Sequence, residues 1–249
     1  MNRRFLSVVA CALLPLLLTA CGGEPEAAAP STPAESGPVF EDVEPDPIAI
    51  GVMPTGEALP LWVASRDGLF TEEGVEVQIV VFDAAADRDA AFAAGEIDAM
   101  VSNAFSAVQA EATGAPVALV AVAVEPSLVA TAADVPDRSL SGVGSDRTFI
   151  GVSDWYLALP SGLVATRATL SAWNAAVARL QADPGTYREL LAEVARLGIP
   201  AEQVRVSATY PLAMAPSQDV IEAALTDVTS RRPEYAGVAY DDLVLDIGR

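Results

Sequence analysis

The chain has 249 residues, a formal charge of −20 and neither histidine nor lysine, so all 14 basic residues are arginine. Ser-His-Asp and Cys-His nucleophiles, a lysine Schiff base and a Walker-type phosphate lysine cannot be built from this alphabet. A zinc site would have to be carboxylate alone, which that metal rarely uses, and the acidic balance repels nucleic acid and anionic headgroups. No enzyme activity, cofactor, metal or nucleic-acid partner is therefore expected.

Asn2-Arg3-Arg4, an apolar run over 5–18 and then Leu18-Thr19-Ala20-Cys21 open the chain. A short basic region, a short apolar core and small residues before a cut site are the parts of an export signal. The run contains Pro15 and is shorter than the about 20 apolar residues of a membrane span. Its ending resembles the bacterial lipobox, which implies a signal peptide over 1–21 and a lipid on Cys21. The chain would then be exported and anchored to the outer face of the cytoplasmic membrane. Cys11 would leave with the signal, so no disulfide is expected in the mature part. Residues 22–47 carry seven acidic residues, no basic one and many prolines, the composition of a disordered, semi-extended tether.

From Ile48 the pattern alternates. Ile48–Met53 is a β-branched run suited to a strand buried on both faces. Leu59, Trp62 and Val63 have helical spacing, with Gly68 as the stop. A turn through Leu69–Gly74 leads to a second strand, 75–82. Residues 86–94 read as helix, 99–102 as strand, 103–113 as helix and 117–124 as strand. Strands alternating with helices of about ten residues predict an α/β fold, a mostly parallel sheet flanked by helices. The last part is helical. Leu170, Trp173, Val177 and Leu180 mark one amphipathic helix. Asp183-Pro184 starts a second, with Tyr187, Leu190, Val194 and Leu197 inward and Gly198 as the stop. Residues 218–231 form a third on Ile221, Leu225 and Val228, and 240–244 a short fourth.

Several segments, taken in order, resemble the extracytoplasmic solute-binding proteins of ABC importers, of the nitrate, sulfonate, taurine and thiamine-precursor type. They are Pro60-Leu61-Trp62-Val63-Ala64, Asp67-Gly68-Leu69-Phe70, Glu73-Gly74-Val75-Glu76-Val77 and Ala91–Ala99 with its Gly95-Glu96-Ile97-Asp98 turn. Residues 161–170 resemble the strand by which such chains re-enter their first lobe, and the helices after it fit the family's helical end. The resemblance implies a type 2 periplasmic-binding-protein-like lobe over 48–133 and 160–249, with a small-molecule ligand and an ABC permease as partners. The sequence departs from the family between Asp134 and Leu159, where members place a whole second lobe. A single βαβ unit needs about 30 residues, so 134–159 is expected to be only the remnant of a truncated second lobe.

In such sheets ligands bind outside the carboxyl ends of the strands. The loops there supply Thr55, Gly56 and Glu57 after the first strand, Asp83 after the second, Ser102 and Asn103 after the third and Glu125 after the fourth. Thr55, Ser102 and Asn103 can equally be helix caps, Asp83 a plain turn residue, and Glu57 a complement to a helix dipole. Trp155 and Tyr156, in the shortened insert, are the aromatic candidates for stacking on a flat ligand. They can equally plug the edge left by a missing lobe. No arginine lies on these strand-end loops, and arginine forks are a usual device for carboxylates and sulfonates. This favours a neutral or cationic heterocycle, such as a thiamine precursor, unless Arg147 points inward. The competing reading is a single-lobe lipoprotein that docks on a partner without a high-affinity ligand. A related fold that makes the thiamine pyrimidine depends on histidine, which this chain lacks.

Overall fold

Five strands form one sheet in a computed structural model that describes residues 46–124, 147–206 and 210–247. They are β1 (Ile48–Val52), β2 (Val77–Val81), β3 (Ala99–Asn103), β4 (Val117–Val124) and β5 (Thr148–Ser153), in the order β2-β1-β3-β5-β4. β1 is parallel to β2 and β3, with Ile50 opposite Ile79 and Ala99. β5 is antiparallel to both its neighbours, pairing Ala99 with Val152, Asn103 with Thr148 and Val117 with Ser153. Four of the five strands run the same way, but the reversed one is interior and two of the four ladders are antiparallel, so the sheet expected to be mostly parallel is mixed. Every residue of β5 is buried, as a strand with partners on both sides and helices on both faces must be.

β5 comes from the interval expected to be the remnant of a second lobe. Its described part, 147–159, supplies β5 to this sheet and then a short helix over 154–157. Residues 134–146, the leader with Cys21 and the tether up to residue 45 lie outside the described residues.

The helices are α1 (Leu59–Arg66), α2 (Leu69–Glu72), α3 (Ala85–Ala94), α4 (Ala104–Ala112), α5 (Asp154–Leu157), α6 (Gly162–Ala182), α7 (Arg188–Val194), α8 (Gln218–Arg231) and α9 (Tyr240–Leu243). Gly68 stops α1 with φ 75°, and Gly74 turns the chain after α2 with φ 69°. Between these two glycines the sequence reads as a turn, yet burial of Leu69 and Phe70 winds it into a short helix. α7 ends a turn before the expected stop at Gly198, because Arg196 already takes a left-handed φ of 49°.

The resemblance of 161–170 to a re-entrant strand is overturned, since these residues form the first half of α6. Ala165, Thr169, Ala172 and Ala176 continue upstream the buried stripe of Trp173, Val177 and Leu180. Alanine is the strongest helix former, so small residues that could pack in a strand extend the helix instead.

Two apolar cores cover the faces of the sheet. On one, Ile48, Ile50, Val52, Val101 and Ile150 pack with Leu59, Leu61 and Val63 of α1 and Trp173, Val177 and Leu180 of α6. On the other, Met100, Leu119 and Phe149 pack with Phe92 of α3, Val108 of α4 and Ile221 and Val228 of α8. Asp98, the acid of the Gly-Glu-Ile-Asp turn, ties β1 to β3. Its Oδ2 accepts from Ala49 N–H at 2.6 Å, while its own N–H donates to Ala49 O at 2.9 Å. Burial raises the Asp98 carboxyl above its ordinary value against the pull of that hydrogen bond. Among the described residues no helix is long and apolar enough to cross a membrane.

Asp67, at the end of α1, accepts from Arg66 Nε at 3.0 Å and from Arg179 Nη1 and the Tyr187 hydroxyl at 2.9 Å each. It thereby joins α1, α6 and the turn before α7. Burial acts to raise its carboxyl, but the hydrogen bonds from Arg179, Arg66 and Tyr187 outweigh it and hold the group below the usual aspartate value. A depressed carboxyl contributes stability that is fully present above its unfolded value and is lost as pH falls through the folded one. Asp67→Asn is expected to lower stability by about 1–2 kcal/mol at pH 7. The deficit should shrink below about pH 4, which urea titrations at pH 7 and pH 3 will measure.

Candidate functional site

The carboxyl ends of β1, β2 and β3 lie at one end of the sheet, because these strands are parallel. After β1, the Thr55 hydroxyl accepts from Glu57 N–H at 3.4 Å, and Gly56 is buried with its carbonyl accepting from Tyr210 at 2.7 Å. Burial, with the nearby Glu57 charge adding to it, raises the Tyr210 hydroxyl far above its ordinary value, so it stays a neutral donor. Thr55 is thus a cap, and Gly56 is held shut by a tyrosine that sequence reading did not place here.

After β2, Asp83 is 79% exposed at its side chain and pairs with Arg196 in the loop after α7. It acts as a surface ion pair. After β3, Asn103 caps α4, its Oδ1 accepting from Ser106 N–H at 3.1 Å, which leaves the donor half of its amide for other partners. Ser102 is only 1% exposed, and its hydroxyl has no hydrogen-bond partner. The hydroxyl of Thr148, on the strand paired with it, is likewise buried and unpartnered. Glu125 lies outside the described residues.

Trp155 and Tyr156 are not brought to this end. β5 runs backwards, so α5, which follows it, lies at the amino ends of β3 and β4, where Asp154 N–H reaches Pro116 O. Tyr156 is buried, and its hydroxyl donates to Asp46 O at 2.6 Å. Trp155 is 46% exposed and stands edge-on to Tyr156 near Gly95, at the end of α3. Tyr156 therefore ties down the segment that enters β1, and neither ring is at the end of the sheet that carries the strand-end loops.

The same reversal carries Arg147, at the start of β5, to the carboxyl end of β3. There a cavity of about 200 Å³ opens between β3, β5 and α8. Asn103, Phe105, Arg147, Phe149, Asp227 and Arg231 are among its lining residues. Arg231 pairs with Asp227 one helical turn earlier. Arg232, the next residue, stacks over Phe105 at 6.0 Å and Tyr235 at 5.2 Å. The contribution of α8 was missed in the sequence, where its only signals are the inward stripe of Ile221, Leu225 and Val228 and the Asp227/Arg231 spacing beside it. Among the described residues no group of three or more acidic, cysteine or histidine side chains could hold a metal ion.

A larger groove of about 820 Å³ lies elsewhere, against α6 and the outer edge of β4. Val164 and Met214 line it and are 53% and 54% exposed. Exposed Leu212 and Leu245 adjoin lining residues in the chain.

Residues 56–137 match the family described as NMT1/THI5 like, a stretch that holds Gly56, Glu57, Asp83, Ser102 and Asn103. No curated protein matches the sequence. Among solved structures, the chain is similar to the ligand-binding component of an ABC-type import system from Staphylococcus aureus, solved with zinc bound. The identity is 11% over 80% of this chain and 96% of that one, with a TM-score of 0.57. The periplasmic aliphatic sulphonate binding protein SsuA from Escherichia coli gives 13% identity over 77% and 94%, with a TM-score of 0.56. The periplasmic nitrate-binding protein NrtA from Synechocystis PCC 6803 gives 12% identity over 80% and 87%, with a TM-score of 0.55. The chain has the periplasmic-binding-protein fold. Its described strands make a single sheet.

Within this periplasmic-binding fold the strand-end residues separate by what each is already bonded to. Ser102→Ala is expected to leave stability unchanged or raise it by up to about 1 kcal/mol, since it removes a buried hydroxyl that has no partner. Asp83→Ala should shift stability by no more than about 0.5 kcal/mol, as an exposed ion pair does. Denaturant midpoints of the two variants check both values, and a clear loss for Ser102→Ala would reveal a bound water or ligand on that hydroxyl.

Proposed function

We propose that the chain is the substrate-binding component of an ABC importer, exported, lipid-anchored through Cys21, and binding a small organic molecule without converting it. The observation that carries this reading is the cavity at the carboxyl end of β3, where residues of β3, β5 and α8 converge at one end of the five-stranded sheet. The match over 56–137 and the importer components among similar structures support it. The lack of histidine and lysine argues against catalysis.

The ligand we propose is a flat, polar single ring of the aminopyrimidine kind, the chemistry of a thiamine precursor. Phe105 and Phe149 supply apolar walls. Asn103 and the arginines supply donors, and Asp227 supplies an acceptor. Arg231 is paired with Asp227, but Arg147 also lines the cavity, which removes the expectation that no arginine reaches this end; the ligand class therefore rests on the apolar walls and on the size. The volume, about 200 Å³, is below the roughly 300–1,000 Å³ of drug-sized sites and suits one ring.

The exposed apolar groove on α6 favours a second reading, in which the lipoprotein docks on a partner and holds no tight ligand. Native mass spectrometry separates the two. A secreted form beginning at Gly22 is offered an aminopyrimidine, an alkanesulfonate and nitrate, and its mass is compared before and after denaturation. The expected result is a one-to-one aminopyrimidine adduct that denaturation releases. A sulfonate or nitrate adduct instead would overturn the heterocycle, and a bare monomer in all three would favour docking. For the anchor, Cys21→Ser is expected to abolish labelling by radioactive palmitate and to release the full-length chain from the membrane fraction.

A further inference from the structure

Arg88 is 4% exposed, and a buried guanidinium is costly unless its donors are met. Here they are met by a closed ring. Nη1 donates to Val101 O at 2.8 Å, Nη2 to Ser106 Oγ at 3.0 Å, and Nε and Nη2 to Asp89 Oδ1 at 3.0 and 2.7 Å. Ser106 closes the ring by donating to Asp89 Oδ2 at 2.7 Å. The ring thus joins the first turns of α3 and α4 to the backbone of β3, two residues before Asn103.

β1 is shaped to the same side chain. A Cβ on Gly51 would come within 3.0 Å of Arg88 Cγ and 2.4 Å of Ile97 Cδ1. The arginine stem therefore crosses β1 where only a glycine leaves room. A rigid planar fork fixes direction as well as charge, and apolar residues of similar size commonly stabilise a buried site as well or better. The arrangement is therefore best explained by the geometry it imposes.

We infer that Arg88, acting through Asp89 and Ser106, is a positioning residue for the cavity at the end of β3. It holds the first turn of α4, and with it Asn103 and Phe105, in place against the sheet. The inference rests on the site proposed above, but its first readout does not need a ligand. Amide hydrogen exchange is compared in wild type, Ser106→Ala, Arg88→Met and Arg88→Lys.

Exchange at positions 106–108 is expected to rise about tenfold in Ser106→Ala and more in Arg88→Met. The amides of α6 should change little, because the ring touches no residue of α6. Arg88→Lys should not restore protection, since one ammonium cannot span Val101, Ser106 and Asp89 together. Unchanged exchange in α4, or an equal rise in α4 and α6, would overturn the inference by reducing the ring to a general stabiliser. If Arg88→Met does not fold, Ser106→Ala decides alone.

The second readout is aminopyrimidine affinity, expected to fall about tenfold in Ser106→Ala, and undiminished affinity beside a loosened α4 would also overturn the inference. If wild type binds no aminopyrimidine, the ligand proposal fails and the exchange data still decide the role of Arg88.

Discussion

Between β3 and β4, which point the same way, the sheet holds β5 reversed, paired to one from Ala99 to Asn103 and to the other from Val117 to Val124. Which residues reach which end of the sheet depends on that reversal. A parallel neighbour can be reached only by a crossover of about a dozen residues or more, whereas an antiparallel neighbour can follow through a tight hairpin. β4 and β5 are consecutive in the chain and adjacent in the sheet. The connection between them is therefore under no geometric demand beyond a turn, and its entropic cost grows only slowly with length. A connection placed there can lengthen or shorten without removing a strand, a ladder or an apolar layer from the sheet. The two cores, one under α1 and α6 and the other under α3, α4 and α8, are complete without it.

The reversal also decides which end of the sheet each residue serves. Entry into β5 falls at the carboxyl ends of β3 and β4, and exit falls at their amino ends. Arg147 is delivered to the cavity and Trp155 and Tyr156 are carried away from it, although only a few residues separate them. At the far end the aromatic pair has its own task. Tyr156 accepts the incoming chain by donating to Asp46 O, and α6 starts so close to α5 that a Cβ on Gly162 would meet Tyr156 O at 1.9 Å. A glycine there lets α6 begin directly against α5, which places its long buried stripe over the sheet.

What was legible in the sequence follows from how local each signal is. The run from Ile48 to Val124 alternates strand and helix with its own periodicity, and its strands lie where that pattern puts them. The same holds for α8, whose spacing of Ile221, Leu225 and Val228 fixes a helix over 218–231. The direction of β5 was not legible, because a strand pattern reads the same both ways and its neighbours are distant in sequence. Nor was the start of α6, where small residues suit a strand or a helix and tertiary packing decides. The site was legible by half. Asn103 and the strand-end rule lead to the end of the sheet where the candidate cavity opens, but Asp227 and Arg231 reach it through the packing of α8 on α4, a long-range contact with no local mark. Arg88 was hidden for a related reason: a charged residue on a helix reads as a solvated face until the partners that bury it are seen.

Charge acts on this site at two ranges. The chain as a whole is at −20, and much of its arginine is committed to neighbouring acids, as in Arg66–Asp67, Arg88–Asp89, Arg196–Asp83, Arg231–Asp227 and Arg232–Glu234. An anion approaching the carboxyl end of the sheet would meet an unfavourable field within about one Debye length of the surface, roughly 8 Å in physiological salt, beyond which it is screened. At contact it would meet Arg147 and an Arg231 already partnered by Asp227. A neutral ring with donors and acceptors on its edge escapes the long-range penalty and can still use Asn103, Asp227 and the arginine N–H groups at contact. Field and lining therefore oppose each other for an anion and do not for a neutral heterocycle, an asymmetry that adds to the apolar walls and the size as ground for the ligand class proposed.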